Sequence, residues 1–166
     1  MNLYLVRHAE AVPVGGAITR DAERPLSPDG EMHARRMAGV LARIDPSVNL
    51  VLASPLLRAR QTAMIFQEVL PARPEVLVTE NLSPGFRSST LAEEAASFRD
   101  RGSVMAIGHQ PDMTKFIAWL VADGSPAAIW LPPAGMAGIL LEGSPTEPDA
   151  SLRWLLTPDL AAALRP

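Results

Sequence analysis

MNLYLVRHAEA, residues 1–11, decides the fold. Leu3, Tyr4, Leu5 and Val6 make a β-prone run without polar interruption, the pattern of a strand buried on both faces in a parallel sheet. The run stops at Arg7-His8, so a guanidinium and an imidazole stand at a strand's carboxyl end, where open α/β sheets bind ligands. Such a pair suits an anion and nucleophilic chemistry.

The bulk properties narrow the function classes. At 166 residues the chain is expected to form one domain, 1–166, with a core that needs neither disulfide nor metal. Hydrophobic residues make up 48% and charged residues 20%, and no apolar run approaches the roughly 20 residues of a membrane span. The N-terminus lacks a basic, cleavable leader, so a cytoplasmic location away from membranes is expected. Zero cysteines exclude thiol nucleophiles and Cys-based metal sites, and three histidines (His8, His33, His109) leave little for a His-rich metal centre. No metal and no cofactor are expected. A net charge of −3 argues against nucleic acid as a partner, so any anion site must be local.

Outward from the first strand, residues 12–27 read as a loop with Gly15-Gly16 and two prolines. Ser27-Pro28-Asp29 supplies a cap, a proline for the first helical position and a first-turn acid. A helix to about residue 44 follows, with Met37, Val40, Leu41 and Ile44 as its buried face and His33 as surface or boundary filler. Residues 49–53 are a second strand, and Ser54-Pro55 is expected to start a helix reaching about residue 70, with Thr62, Ile65, Phe66 and Val69 inward. Arg58 and Arg60 then fall in first turns that already favour an anion. Residues 75–79 are a third strand. Thr90 and Glu93 form an expected capping box opening a helix to about residue 101. Residues 103–107 are a fourth strand running into Gly108-His109, and a helix follows with Met113, Phe116, Ile117, Leu120 and Val121 on one face. After a Pro-rich connection from residue 123, residues 136–142 and 152–157, joined by the turn-rich 143–149, read as an antiparallel hairpin at the sheet edge. The alternation predicts an α/β protein: a three-layer α/β/α sandwich with a mostly parallel sheet, helices on both faces and a C-terminal antiparallel hairpin.

Three strand ends thus carry Arg7-His8, Ser54 leading to Arg58, and Gly108-His109. If they converge, the pocket holds two guanidiniums and two imidazoles, a set suited to a phosphoryl group. No P-loop pattern is present. Without cysteine or a metal cluster, the nucleophile is sought among the histidines.

At these residues the sequence resembles the histidine phosphatase superfamily, and within it the SixA-type phosphohistidine phosphatases. The Arg-His-Gly signature is present as Arg7-His8-Ala9, Ser-Pro-x-x-Arg-Ala-x-Gln-Thr in full at residues 54–62, and Gly-His-x-Pro at residues 108–111. Arg24-Pro25-Leu26-Ser27, Leu82-Ser83-Pro84 and a small-residue hairpin ending in Trp154 and Pro158 match the SixA type. The resemblance implies that His8 is the nucleophile that takes the phosphoryl group, that Arg7 and Arg58 hold its oxygens, and that His109 completes the phosphate pocket. Arg24 and Ser54 are further candidate phosphate contacts.

Two departures bear on the substrate. Ala9 replaces the usual glycine, which is tolerable if the backbone there needs no positive φ. Gln110 follows the second histidine, where the resembling acid phosphatases carry an acidic proton donor, and Gln cannot donate a proton. Glu10, Asp21, Glu80 and Asp112 remain open as substitutes. Expelling an alkoxide needs a general acid worth roughly 10² to 10⁴ in rate, whereas an imidazole leaving group can already be protonated near neutral pH. Phosphohistidine on a protein, such as a histidine phosphotransfer domain, therefore fits best, and the short loops predict a shallow, open site. The alternatives are a small-molecule phosphomonoesterase of the same fold and a catalytically silent phosphate-binding relative.

Overall fold

The computed structural model describes residues 1–122, 128–143 and 149–164. The first part of the expected Pro-rich connection, 123–127, and the centre of the hairpin turn at 144–148 lie outside the described residues. Strands β1 (Asn2–Arg7), β2 (Leu50–Ala53), β3 (Glu75–Val78), β4 (Ser103–Gly108), β5 (Met136–Leu141) and β6 (Ala150–Leu156) form one sheet in the order β3-β2-β4-β1-β5-β6. The first four run parallel, and β5 joins β1 antiparallel and carries β6 to the edge, as the alternation predicted.

The period of two in β1 sorts its side chains into two cores. Tyr4 and Val6 pack among α1 (Pro28–Ile44), α2 (Leu57–Val69) and α5 (Pro158–Ala163). Leu3 and Leu5 pack on the other face among α3 (Ser88–Ala96) and α4 (Asp112–Val121). The helix after β1 and the helix after β4 thus cover opposite faces although the two strands are neighbours, which opens a crevice at their carboxyl ends. No helix among the described residues is long and apolar enough to cross a membrane.

Several local expectations are corrected. In α1, Ser27 caps the Gly30 N–H as predicted, but the buried face is Ala34, Met37, Ala38 and Leu41, while Ile44 is exposed. Small residues let the helix come close: a Cβ on Gly30 would collide with the Glu10 carbonyl. Helix α2 starts at Leu57, three residues after the serine expected to cap it; the Ser54 hydroxyl instead accepts from the Leu56 N–H (3.3 Å) and meets His109. The Thr90–Glu93 capping box does not form; α3 already starts at Ser88, and Glu94 instead accepts from Thr79 and Asn81. That helix ends at Ala96, followed by a 3₁₀ turn at Arg99–Arg101. Helix α5 was not expected, although Thr157-Pro158-Asp159 repeats the signal that opens α1, with Thr157 accepting from the Leu160 N–H.

At the opposite end of the sheet from Arg7, Asp45 terminates α1 and is buried. Its carboxylate accepts from Tyr4 Oη (2.7 Å), Ser103 Oγ (2.6 Å), Asn2 Nδ2 (3.3 Å) and the Ser47 hydroxyl and N–H, tying α1 to the starts of β1 and β4. Burial pushes its pKa up, but the hydrogen bonds from Ser103, Ser47 and Tyr4 outweigh this and bring it down to about 2. A carboxyl with a depressed folded pKa stabilises above its unfolded value, near 4, and loses that contribution as pH falls toward 2. Asp45→Ala is expected to cost about 2–4 kcal/mol at pH 7, since charged buried acceptors leave donors unsatisfied when removed. Urea melts at pH 7 and pH 3 check this: the deficit should shrink at the lower pH, and equal stability of variant and wild type at pH 7 would contradict it.

Candidate active site

Sheet register builds the site. Arg7 is paired with Gly108 and Ala53 with Ile107, so His8, His109 and Ser54 each follow a paired position on the adjacent strands β1, β4 and β2. The backbone continues the pairing past the strands, with the His8 N–H on the Gly108 carbonyl (3.0 Å) and the Ser54 N–H on the Ile107 carbonyl (3.1 Å). Arg58 reaches the same place from the first turn of α2, and its side chain is 6% exposed, deep enough to face the imidazoles rather than solvent.

Arg7, His8, Arg58 and His109 line one cavity of about 400 Å³. The two imidazole centroids are 4.9 Å apart. His8 Nδ1 lies 2.7 Å from the Ala9 carbonyl, which can only accept, so Nδ1 carries the proton. Arg58 Nε, which can only donate, lies 3.1 Å from His8 Nε2, so that nitrogen presents its lone pair. His109 is set by the same logic: Arg58 Nη2 approaches its Nδ1 at 3.4 Å, and its Nε2–H donates to Ser54 Oγ at 2.7 Å. Burial first, then the neighbouring cations, pushes His8 down to about 3 and His109 down to about 4, so both rings are neutral near pH 7. Thr62 joins the two halves, accepting from the Ala9 N–H (3.1 Å) and donating to the Arg58 carbonyl (2.7 Å).

Arg7 donates to the Leu131 carbonyl at 3.2 Å, while its buried Nε has no hydrogen-bond partner among the described residues. Arg24 lines the cavity, braced on the Val12 and Ala11 carbonyls and on Asp21. Ser54 touches His109 from behind rather than lining the cavity wall. Arg60 is exposed and does not line the cavity, and His33 is half-buried on α1 away from it. Ala9 is fully buried with no positive φ, so the absent glycine costs nothing there. Of the four carboxylates left open, Glu10 and Asp21 line the cavity; Glu80 and Asp112 do not. Asp112 instead accepts from the Gly85 N–H at 2.7 Å, holding the turn that puts Pro84 on the cavity wall.

Two contributions escape a reading of the sequence. The Leu131 carbonyl holds both Arg7 and Gln110, and neighbouring Pro133 forms part of the wall, yet nothing in that segment marks it as part of a site. Asp21 is open from the sequence as a proton donor, but its pairing with Arg58 is not legible there, since a 3₁₀ turn, Asp21–Glu23, draws it onto Arg58 from inside what reads as a featureless loop. Among the described residues no group of three or more His, Cys, Asp or Glu side chains could hold a metal ion.

A cavity at parallel strand ends, with a neutral strand-end imidazole among guanidiniums, is the arrangement of a histidine phosphatase. The family described as histidine phosphatase superfamily (branch 1) matches residues 3–84. Phosphohistidine phosphatase SixA of Escherichia coli (strain K12) is 30% identical over 171 residues, covering 95% of this chain and 94% of that one. An uncharacterized protein of Picosynechococcus sp. is 31% identical over 144 residues, covering 84% of each chain. The structure of the protein histidine phosphatase SixA complexed with tungstate superposes with a TM-score of 0.84 at 25% identity, covering 96% of this chain and 98% of that one. This chain belongs to the histidine phosphatase superfamily, as a phosphatase of the SixA type.

Proposed function

We propose that the chain, acting as one domain over residues 1–166, removes the phosphoryl group from phosphohistidine on a protein partner such as a histidine phosphotransfer domain. His8 is the nucleophile. Arg7 and Arg58 hold the phosphoryl oxygens, His109 completes the pocket, Arg24 adds charge at the rim, and Ser54 fixes the His109 ring. The observation that carries this reading is the hydrogen bonding of His8, whose Nε2 lone pair faces the cavity's guanidinium while Nδ1–H is held by Ala9. In the first step Nε2 attacks phosphorus as the substrate's P–N bond breaks, and the departing imidazole takes its proton from solvent. Water then attacks the phosphoryl group on His8, the new P–N bond breaks, and inorganic phosphate leaves with neutral His8 restored. The arginines supply the charge stabilisation that metal ions give elsewhere.

The leaving-group side supports phosphohistidine. Gln110 stands at the cavity wall, and the Asp21 carboxylate is held by Arg24 first and Arg58 second, which lowers its pKa and makes it a poor acid. One observation favours a second reading, hydrolysis of small phosphomonoesters. Glu10 also lines the cavity, near Ser27 Oγ at 3.3 Å and away from any guanidinium pairing among the described residues. If it acted as general acid, Glu10→Gln would cost about 10² to 10⁴ in ester turnover.

Side-by-side turnover in EDTA separates the readings. A phosphohistidine-bearing phosphotransfer domain is expected to be hydrolysed with kcat/KM roughly 10²-fold or more above that for an alkyl phosphate, the least a missing proton donor costs an ester whose leaving group is an alkoxide. Equal or reversed preference would favour the ester reading, and activity restored only by added metal would overturn the metal-free chemistry.

A further inference from the structure

Asp21 is the wrong charge in the wrong place for a simple phosphate site. Its Oδ2 lies 3.0 Å from Arg58 Nη2, its Oδ1 lies 3.0 Å from Arg24 Nη1, and its backbone carbonyl accepts from Arg58 Nη1 at 2.7 Å. With Nε given to His8, every nitrogen of the buried Arg58 guanidinium already has a partner. The carboxylate doing this is itself 58% exposed, so it can leave the pair at small cost. An anion that enters the cavity toward Arg58 meets another anion holding the same N–H.

We propose that Asp21 is a specificity-determining residue that competes with the phosphoryl group for Arg58, weakening the grip on free oxyanions so that inorganic phosphate does not block the site. This rests on the reading that Arg58 is an oxyanion ligand. Two fixed guanidiniums beside a neutral nucleophile would otherwise hold a product dianion as firmly as they hold the substrate's phosphoryl group, and uniform tight binding gives no advantage in turnover. A protein-borne phosphoryl group arrives with additional contacts outside the cavity that can displace the carboxylate. Released phosphate has none, and the returning carboxylate favours its exit. Asp21 is thereby biased against small anions and toward a substrate that brings its own binding surface.

The sign of the expected effect is unusual for a residue lining an active site: removing it should tighten binding. In titrations of tungstate by calorimetry, and of inorganic phosphate as a competitive inhibitor, Asp21→Asn and Asp21→Ala should both bind about two- to fivefold more tightly than wild type, the span of a partly exposed ion pair. Product inhibition should deepen by the same factor. Both variants keep the backbone carbonyl that holds Arg58 Nη1, and Asn keeps a side-chain acceptor. If Asp21 served instead to position Arg58, Asp21→Ala would bind tungstate more weakly than wild type while Asp21→Asn would stay near it. That result, or unchanged affinity in both, overturns the proposal. Arg58→Ala is titrated in parallel: if it binds tungstate as well as wild type does, the assignment of Arg58 fails, whatever Asp21 does.

Discussion

His8→Ala is expected to abolish turnover, by roughly 10⁴-fold or more, while tungstate still binds within a few-fold of wild type. The asymmetry follows from the geometry. His8 contributes a lone pair that becomes a bond only along the reaction path, so its loss removes stabilisation that the ground state never had. The oxyanion ligands stay in place because the His8 backbone, not its ring, continues the β1–β4 pairing. Truncation also frees Arg58 Nε, one more donor for a bound anion. Steady-state turnover and calorimetric titration of one preparation check both halves. Retained turnover would remove His8 from the mechanism, and lost binding would mean that the ring itself shapes the anion site.

Arg58→Ala carries the second large effect and should strike both quantities. The guanidinium touches His8 Nε2 and His109 Nδ1 at once, and in the proposed mechanism it also holds the phosphoryl oxygens. Loss of one preorganised charged donor costs about 10² to 10³ in kcat, and oxyanion affinity should fall with it because the contact exists in the ground state too. A pH signature accompanies the loss. After burial, the His109 ring and the Arg58 and Arg7 guanidiniums help hold His8 down to about 3. The reactive form is unprotonated, so in wild type the acid limb of kcat/KM belongs well below pH 6.5. Removing Arg58 lifts one cation and opens the ring to water, both of which raise the His8 pKa, and the acid limb should move up toward its ordinary value. An unmoved limb would show that Arg58 does not govern His8.

The fold was legible because its signals are periodic. The uninterrupted apolar β1, the Ser27-Pro28-Asp29 start and the four strand-helix alternations each state a local preference that packing reinforces. What sequence misplaced has a physical reason in each case. The α1 face turns toward Ala34 and Ala38, which carry little hydrophobic weight, and the helix sits against the backbone at Glu10 through Gly30. The start of α2 shifts to Leu57, and the Ser54 hydroxyl that a local rule assigns to a cap lies between the Leu56 N–H and a tertiary partner, His109. Helix α5 is short and follows an edge strand, so its start signal reads as the end of a hairpin. In the site, the four motif residues were legible as strand-end chemistry, and they do line one cavity. The hold of Asp21 on Arg58 and the part played by the Leu131 carbonyl were not, because they reach it through a 3₁₀ turn and a non-repetitive segment whose path no periodicity encodes.

The central claim is that the phosphoryl group passes through His8, and trapping it there is the most direct test. Wild type mixed with a labelled phosphohistidine donor and quenched in alkali within milliseconds should yield a labelled protein whose phosphoryl bond survives alkali and is lost in acid, as a phosphoramidate requires. Peptide mapping should place the label in the segment containing His8, on Nε2, and the label should be absent from His8→Ala. Label found on His33 or His109, or full turnover with no trapped species at any quench time, would contradict the account.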